Sequence, residues 1–278
     1  MPEATSGGGP SPVVPEYNWG MTNDRTVVLP GGVEMPMVGL GTWQLRGRTG
    51  YQAMRTALEL GYRHLDTATM YGNETEVGRA IRDSGVPREE VFVATKLPPS
   101  RSSRARQTLA DSLRALGSEY VDLWLIHWPP GGAAPHTWRE FIAARDEGLV
   151  RSIGVSNYST RQIDELTKET GETPAVNQIE WSPFLYDPHR HAELRDRGVV
   201  LEGYSPFKTT RLSDPVLVEI AHAHGVTPPQ IVLRWHLEHG FVVIPKSARP
   251  ERLKTNFDVY GLTLTNDEVR RIDALSRV

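Results

Sequence analysis

The chain has 278 residues, 38% hydrophobic and 23% charged, with a formal charge of −3 and a pI near 6.3. That length and composition suit a globular protein with a sizeable core, as one α/β barrel or two smaller domains, and the charge balance offers no basic field for nucleic acid. With no cysteine in the sequence, disulfides, thiolate catalysis and cysteine-based zinc sites are excluded, and a reducing, cytoplasmic setting is the simplest expectation.

Residues 1–22 contain Gly7-Gly8-Gly9-Pro10-Ser11-Pro12 and are rich in Pro, Gly, Ser and Thr, which predicts a flexible tail before one domain over 23–278. The tail has no apolar h-region of a secretory signal, and no later stretch reaches the length of a membrane span. Thr26-Val27-Val28-Leu29 and Val33-Glu34-Met35-Pro36 flank Pro30-Gly31-Gly32, a hairpin signal. Beyond it, short apolar runs alternate with helical patterns. The strand candidates are Val38–Thr42, Arg63–Thr67, Val91–Lys96, Val121–His127, Ser152–Ser156, Ala175–Ile179, Val199–Tyr204 and Val242–Pro245. Runs this apolar fit strands covered on both faces. Helix starts are marked by Asn73 before Glu74, Ser102 before Arg104-Ala105, Ser159 before Arg161-Gln162 and Thr227 before Pro228-Pro229.

Eight strands alternating with helices predict a (β/α)8 barrel of the α/β class. A dinucleotide-binding doubly wound sheet would want Gly-x-Gly-x-x-Gly in its first turn. The nearest approach, Gly39-Leu40-Gly41-Thr42-Trp43-Gln44, lacks the third glycine.

In such a barrel, reactive groups gather at the C-terminal strand ends and in the loops that follow. Asp66, Lys96 and His127 each fall at such an end, and Tyr71 follows the second strand. Singly, each has a plainer explanation: Asp66 as a cap, Lys96 as a rim ammonium, His127 as a core imidazole, Tyr71 as packing. Together, in matching positions, they form a set able to donate a proton. A phenol of pKa about 10 is a poor acid at neutral pH, and a neighbouring ammonium and imidazole would assist it. His127 and Asp66 alone are too few ligands for a metal-dependent hydrolase.

Gly61–Ala68 with Tyr71 and Asn73-Glu74, Thr95-Lys96-Leu97, Leu125-Ile126-His127-Trp128-Pro129, Gly154-Val155-Ser156-Asn157 and Ile244-Pro245-Lys246-Ser247 resemble the aldo-keto reductases over about residues 24–276, in particular the prokaryotic branch. The resemblance implies a TIM barrel whose bottom is capped by the N-terminal hairpin. It implies Tyr71 as general acid toward a carbonyl oxygen, Lys96 held by Asp66 and lowering the phenol's pKa, and His127 orienting the carbonyl. It further implies Ser156, Asn157 and Gln178 bonded to a nicotinamide carboxamide, with Tyr204 stacked on its ring and Ser205 beside it. Lys246, Ser247 and Arg252 would grip the 2′-phosphate of NADPH, with Asn256 nearer the adenine. A basic turn opening a helix is in any case a ready anion site.

One departure from the pattern is Thr255, where many relatives carry glutamate, so NADH stands as a weaker alternative to NADPH/NADP+. Trp43 and Trp128 are the candidates for lining an apolar substrate cleft. The short segments 129–135 and 205–213 suggest an open cleft and broad carbonyl specificity. The expected protein is a monomeric NADPH-dependent reductase acting on a small carbonyl compound, with no metal, nucleic acid, membrane or obligatory protein partner. The alternative is a cofactor-binding regulatory module of the same fold with little turnover.

Overall fold

The computed structural model describes residues 25–278; the tail expected over residues 1–22 lies outside them. Strands β1 (Thr26–Val28) and β2 (Glu34–Pro36) pair antiparallel with Val27 opposite Met35. Gly31 and Gly32 take φ of 88° and 81° in the turn between them. Residues with side chains resist that left-handed region, which explains the Pro-Gly-Gly sequence there.

The hairpin lies over the starts of the barrel strands. Thr26, Glu34 and Pro36 share one groove with Arg63, Phe92, Asp122 and Arg151, and the Pro36 carbonyl lies 3.2 Å from His64 Nδ1. The open mouth is therefore at the opposite end.

The barrel strands are β3 (Leu40–Gly41), β4 (His64–Asp66), β5 (Phe92–Leu97), β6 (Val121–Ile126), β7 (Val150–Ser156), β8 (Val176–Glu180), β9 (Val200–Tyr204) and β10 (Val242–Ile244). All pair in parallel with their sequence neighbours. The sheet closes through Gly39 N–H to Val243 O (2.9 Å), Val243 N–H to Met37 O (2.8 Å) and Gly41 N–H to Pro245 O (3.2 Å).

The first barrel strand is shorter than the expected Val38–Thr42: only Leu40–Gly41 pair along β4, and Val38 meets Val243 of β10 in an isolated bridge. The seam is also narrow. A Cβ on Gly39 would stand 2.6 Å from His64 Nδ1, and one on Gly41 2.8 Å from the Ile244 carbonyl. Only glycine permits backbones that close.

Ser159 and Thr227 start their helices as expected, each in a reciprocal capping box with Gln162 and Gln230. Two signals read differently. The third helix begins at Ala105, not after Ser102, because Pro99–Arg104 winds into tighter 3₁₀ turns and the Ser102 hydroxyl donates to the Pro99 carbonyl (2.7 Å). Asn73 precedes the helix Glu74–Ser84, but its amide ties loops together instead of capping. It donates to the Thr42 and Leu45 carbonyls (2.9 and 2.8 Å) and accepts from the Thr67 hydroxyl (2.7 Å). Among the described residues no helix is long and apolar enough to cross a membrane.

Candidate active site

Asp66 ends β4, Lys96 lies one residue before the end of β5, and His127 follows β6. Tyr71 sits in a single 3₁₀ turn, Thr69–Tyr71, between β4 and the next helix. These four side chains meet at the mouth of the barrel. The Lys96 ammonium is 0% exposed; it donates to Asp66 Oδ2 at 2.6 Å and to the Thr67 carbonyl at 2.7 Å. It also lies 5.2 Å from the Tyr71 ring centroid, close enough for its charge to act on the phenol. The Tyr71 and His127 rings meet edge to face with centroids 5.8 Å apart.

The electrostatics follow from burial. Desolvation opposes charge on Lys96, yet Asp66, Tyr71 and Glu202 outweigh it and raise its pKa above the ordinary lysine value. For Tyr71, burial is the largest influence and lifts the phenol above its ordinary value, while Lys96 pulls it back. Lys96 thus acts in the expected direction, but the ammonium offsets only part of the desolvation. Burial first, then the Lys96 charge, hold the His127 pKa down to about 3. Its imidazole is neutral at pH 7, with a buried Nδ1 that has no hydrogen-bond partner.

A second cluster occupies the ends of β7 to β9. Ser156 Oγ donates to the Gln178 carbonyl (2.8 Å) and accepts from Asn157 Nδ2 (2.9 Å). The Tyr204 hydroxyl donates to Asn157 Oδ1 (2.9 Å), and burial, then the Glu180 carboxylate, push its pKa up to about 12. Asn157 and Ser205 have φ of 62° and 55°. This left-handed backbone, uncommon without glycine, ends each strand abruptly at the mouth.

A cavity of about 470 Å³ is lined by Trp43, Asp66, Tyr71, His127 and Trp128, by Ser156, Asn157, Gln178, Tyr204 and Ser205, and by Lys246. Lys96 lies beneath it. Trp43 and Trp128 are 57% and 47% exposed, so they stand at the rim and not in the core.

Ser247, Arg252 and Asn256 do not line this cavity; they lie further along the same run of chain. The helix there starts at Pro250, which leaves Lys246–Arg249 as the loop that leads into it. Ser247 Oγ accepts from Arg249 N–H (3.1 Å). Lys246 and Arg252 are exposed and form no ion pair among the described residues. Asn256 is buried, yet its amide bonds to no other described residue. A flat ring at Tyr204, amide and hydroxyl groups at three strand ends, two free cations and an unpaired buried amide fit an extended ligand with an amide-bearing ring at one end and an anion at the other.

Sequence reasoning missed several groups here. Met70 and the Glu180–Lys208 ion pair (3.0 Å) also line the cavity. Glu202 and His64 lie in the barrel interior below it, both 0% exposed. Each stands two residues before an inward site residue, Tyr204 or Asp66, and so shares its strand face. An ionisable residue at that spacing in an apolar strand was the available signal.

The chain matches the model of the aldo/keto reductase family over residues 37–277. It is 46% identical over 263 residues to 2,5-diketo-D-gluconic acid reductase B of Corynebacterium sp. (strain SHS752001), covering 92% of this chain and 95% of that protein. It is 40% identical over 262 residues to methylglyoxal reductase DkgA of Escherichia coli (strain K12), covering 92% and 95%. Among solved structures, an aldo/keto reductase from Brucella melitensis superposes with a TM-score of 0.87 at 42% identity, covering 90% of this chain and 98% of that one.

Removing one partner of a buried ion pair strands the other charge. Asp66→Asn is therefore expected to destabilise the fold by about 3–5 kcal/mol, measured by urea unfolding at pH 7. Adding Lys96→Met to that variant should recover much of the loss. If the double variant is no more stable than Asp66→Asn alone, the ammonium is not held by this carboxylate.

Proposed function

Since this chain belongs to the aldo/keto reductase family, we propose that it reduces aldehydes or ketones to alcohols with NADPH, Tyr71 giving the proton and NADH serving less well. The reading rests above all on the Tyr71 phenol placed between the Lys96 ammonium and the His127 ring at the cavity floor. When bound, the nicotinamide supplies the hydride, which no side chain can.

As hydride reaches the carbonyl carbon, negative charge builds on the oxygen, and donors aimed there lower the barrier. Burial keeps the Tyr71 proton in place at neutral pH, so the acid is loaded before substrate arrives. Once the proton has moved, the phenolate oxygen is left beside a fully buried ammonium, which stabilises it in a medium of low dielectric. Asp66 and the Thr67 carbonyl hold Lys96 in place for that task. His127, neutral because its pKa is held down to about 3, donates an N–H to the same oxygen without transferring a proton. In alcohol oxidation the roles reverse, with Tyr71 as base.

Ser156, Asn157 and Gln178 would hold the carboxamide of the ring, Tyr204 and Ser205 would flank it, and Lys246, Ser247 and Arg252 would take the 2′-phosphate with Asn256 toward the adenine. Trp43, Met70 and Trp128 line the cavity together with the Glu180–Lys208 pair. That lining suits compact carbonyl compounds bearing further oxygens, the kind that give two relatives their names, 2,5-diketo-D-gluconic acid and methylglyoxal.

Tyr71→Phe removes the transferable proton but leaves the cavity wall. Reduction of methylglyoxal, followed at 340 nm, should fall by at least about a hundredfold while NADPH still binds; near-full turnover would refute Tyr71 as the acid. Lys246→Ala with Arg252→Ala should weaken NADPH by about tenfold or more and NADH little, since the two differ only in the 2′-phosphate. Equal weakening of both, in fluorescence titrations, would mean that these cations do not meet that group.

A further inference from the structure

Below the cavity floor, the two amide hydrogens of Gln178 are both committed. Nε2 donates to Asp66 Oδ2 at 2.8 Å and to Glu202 Oε2 at 2.9 Å. The amide cannot turn over without setting its carbonyl oxygen against two carboxyl groups, so that oxygen is the end presented to the cavity, which Gln178 lines. The other Glu202 oxygen, Oε1, lies 3.5 Å from His64 Nε2, and neither atom has a hydrogen-bond partner.

Glu202 is faced by His64 and Asp66 on β4, Lys96 on β5 and Gln178 on β8, with Tyr71 above; its partner across β10 is the apolar Val242. With two carboxylates ionised against one ammonium, this buried group would carry a net negative charge. One additional proton between Glu202 and His64 would neutralise it and satisfy both orphaned atoms.

We propose that Glu202 is a positioning residue of the cofactor site: with Asp66 it locks the Gln178 amide, oxygen outward, to accept from the nicotinamide carboxamide. Glu202 and His64 hold one proton between them, and that proton passes to solvent when the oxidised, cationic ring occupies the cavity. The inference rests on the function proposed above. An ionised Glu202 attracts the positive ring of NADP+ and gains nothing from the uncharged dihydronicotinamide ring of NADPH. Burial, then the Asp66 charge, raise the Glu202 pKa to about 8, and burial lowers that of His64 to about 4, so the shared proton is present at pH 7. The sign follows. As pH rises toward 8 the proton leaves more readily, and NADP+ binding should strengthen relative to NADPH. The 2′-phosphate titrates in both cofactors and cancels in the ratio of their dissociation constants.

Quenching of tryptophan fluorescence, with Trp43 and Trp128 at the rim, gives both dissociation constants between pH 6 and 8.5 as the probe. In the parent protein the preference for NADP+ over NADPH should grow by roughly threefold to tenfold across that range. Glu202→Gln keeps an acceptor for Gln178 and offers an N–H to His64. It should rescue the affinities at pH 7 to within about twofold and make the ratio independent of pH. Glu202→Met frees the Gln178 amide and should weaken both cofactors by about tenfold. A pH-independent ratio in the parent, or parent-like affinities in Glu202→Met, would overturn the assignment. If the parent binds neither cofactor, the proposed function falls, and this inference with it.

Discussion

A lysine ammonium with no exposure to water organises the mouth of this barrel. Moving such an ion from water into the protein costs several kcal/mol even after relaxation. It persists here because Asp66 Oδ2 and the Thr67 carbonyl approach within 2.6 and 2.7 Å, with the Tyr71 phenol beside them. The pairing depends on strand register. Asp66 lies opposite Ala94 across β4 and β5, and Lys96 stands two residues beyond Ala94 on the same face. A slip of one residue would turn Lys96 out toward the helices and leave Asp66 buried alone. Register, ion pair and the site's chemistry are therefore one constraint seen at three levels.

The same low dielectric that makes the ion pair costly also sets the state of every neighbour. It keeps Tyr71 protonated, His127 neutral and Glu202 carrying a raised pKa. The polar groups run as one connected chain, from Lys96 through Asp66 and Gln178 to Glu202 and His64. The chain also joins the two clusters of the mouth, since Gln178 belongs to the amide group and Asp66 to the ion pair. Closure of the barrel holds both ends in place, and Gly39 and Gly41 permit that closure where a Cβ would strike His64 or the Ile244 backbone.

Much of this was legible in the sequence, for local reasons. The alternation of short apolar runs with capped helices predicts the eight-stranded barrel, and the placement of Asp66, Lys96 and His127 at strand ends predicts their convergence. Pro30-Gly31-Gly32 predicts the hairpin because left-handed backbone needs glycine. What escaped is set by distant partners. The pKa of Tyr71 depends on how deeply the fold buries it, which no local pattern shows. Ser102 looked like a cap but closes a tighter turn begun by Pro99. Glu180 and Lys208 are 28 residues apart with no periodic link. Gln178 reads as a ligand group or a core polar group, and nothing local shows that its amide nitrogen is spoken for by Asp66 and Glu202, a pairing that spans 112 residues on one side and 24 on the other.

The charge on Lys96 can be observed directly. In protein labelled with ¹⁵N at lysine Nζ, with the Lys96 signal assigned by its loss in Lys96→Met, the resonance should keep its ammonium shift past pH 10.5, where an ordinary lysine is half titrated. An amine shift for Lys96 at neutral pH would contradict a buried charge at the centre of the site.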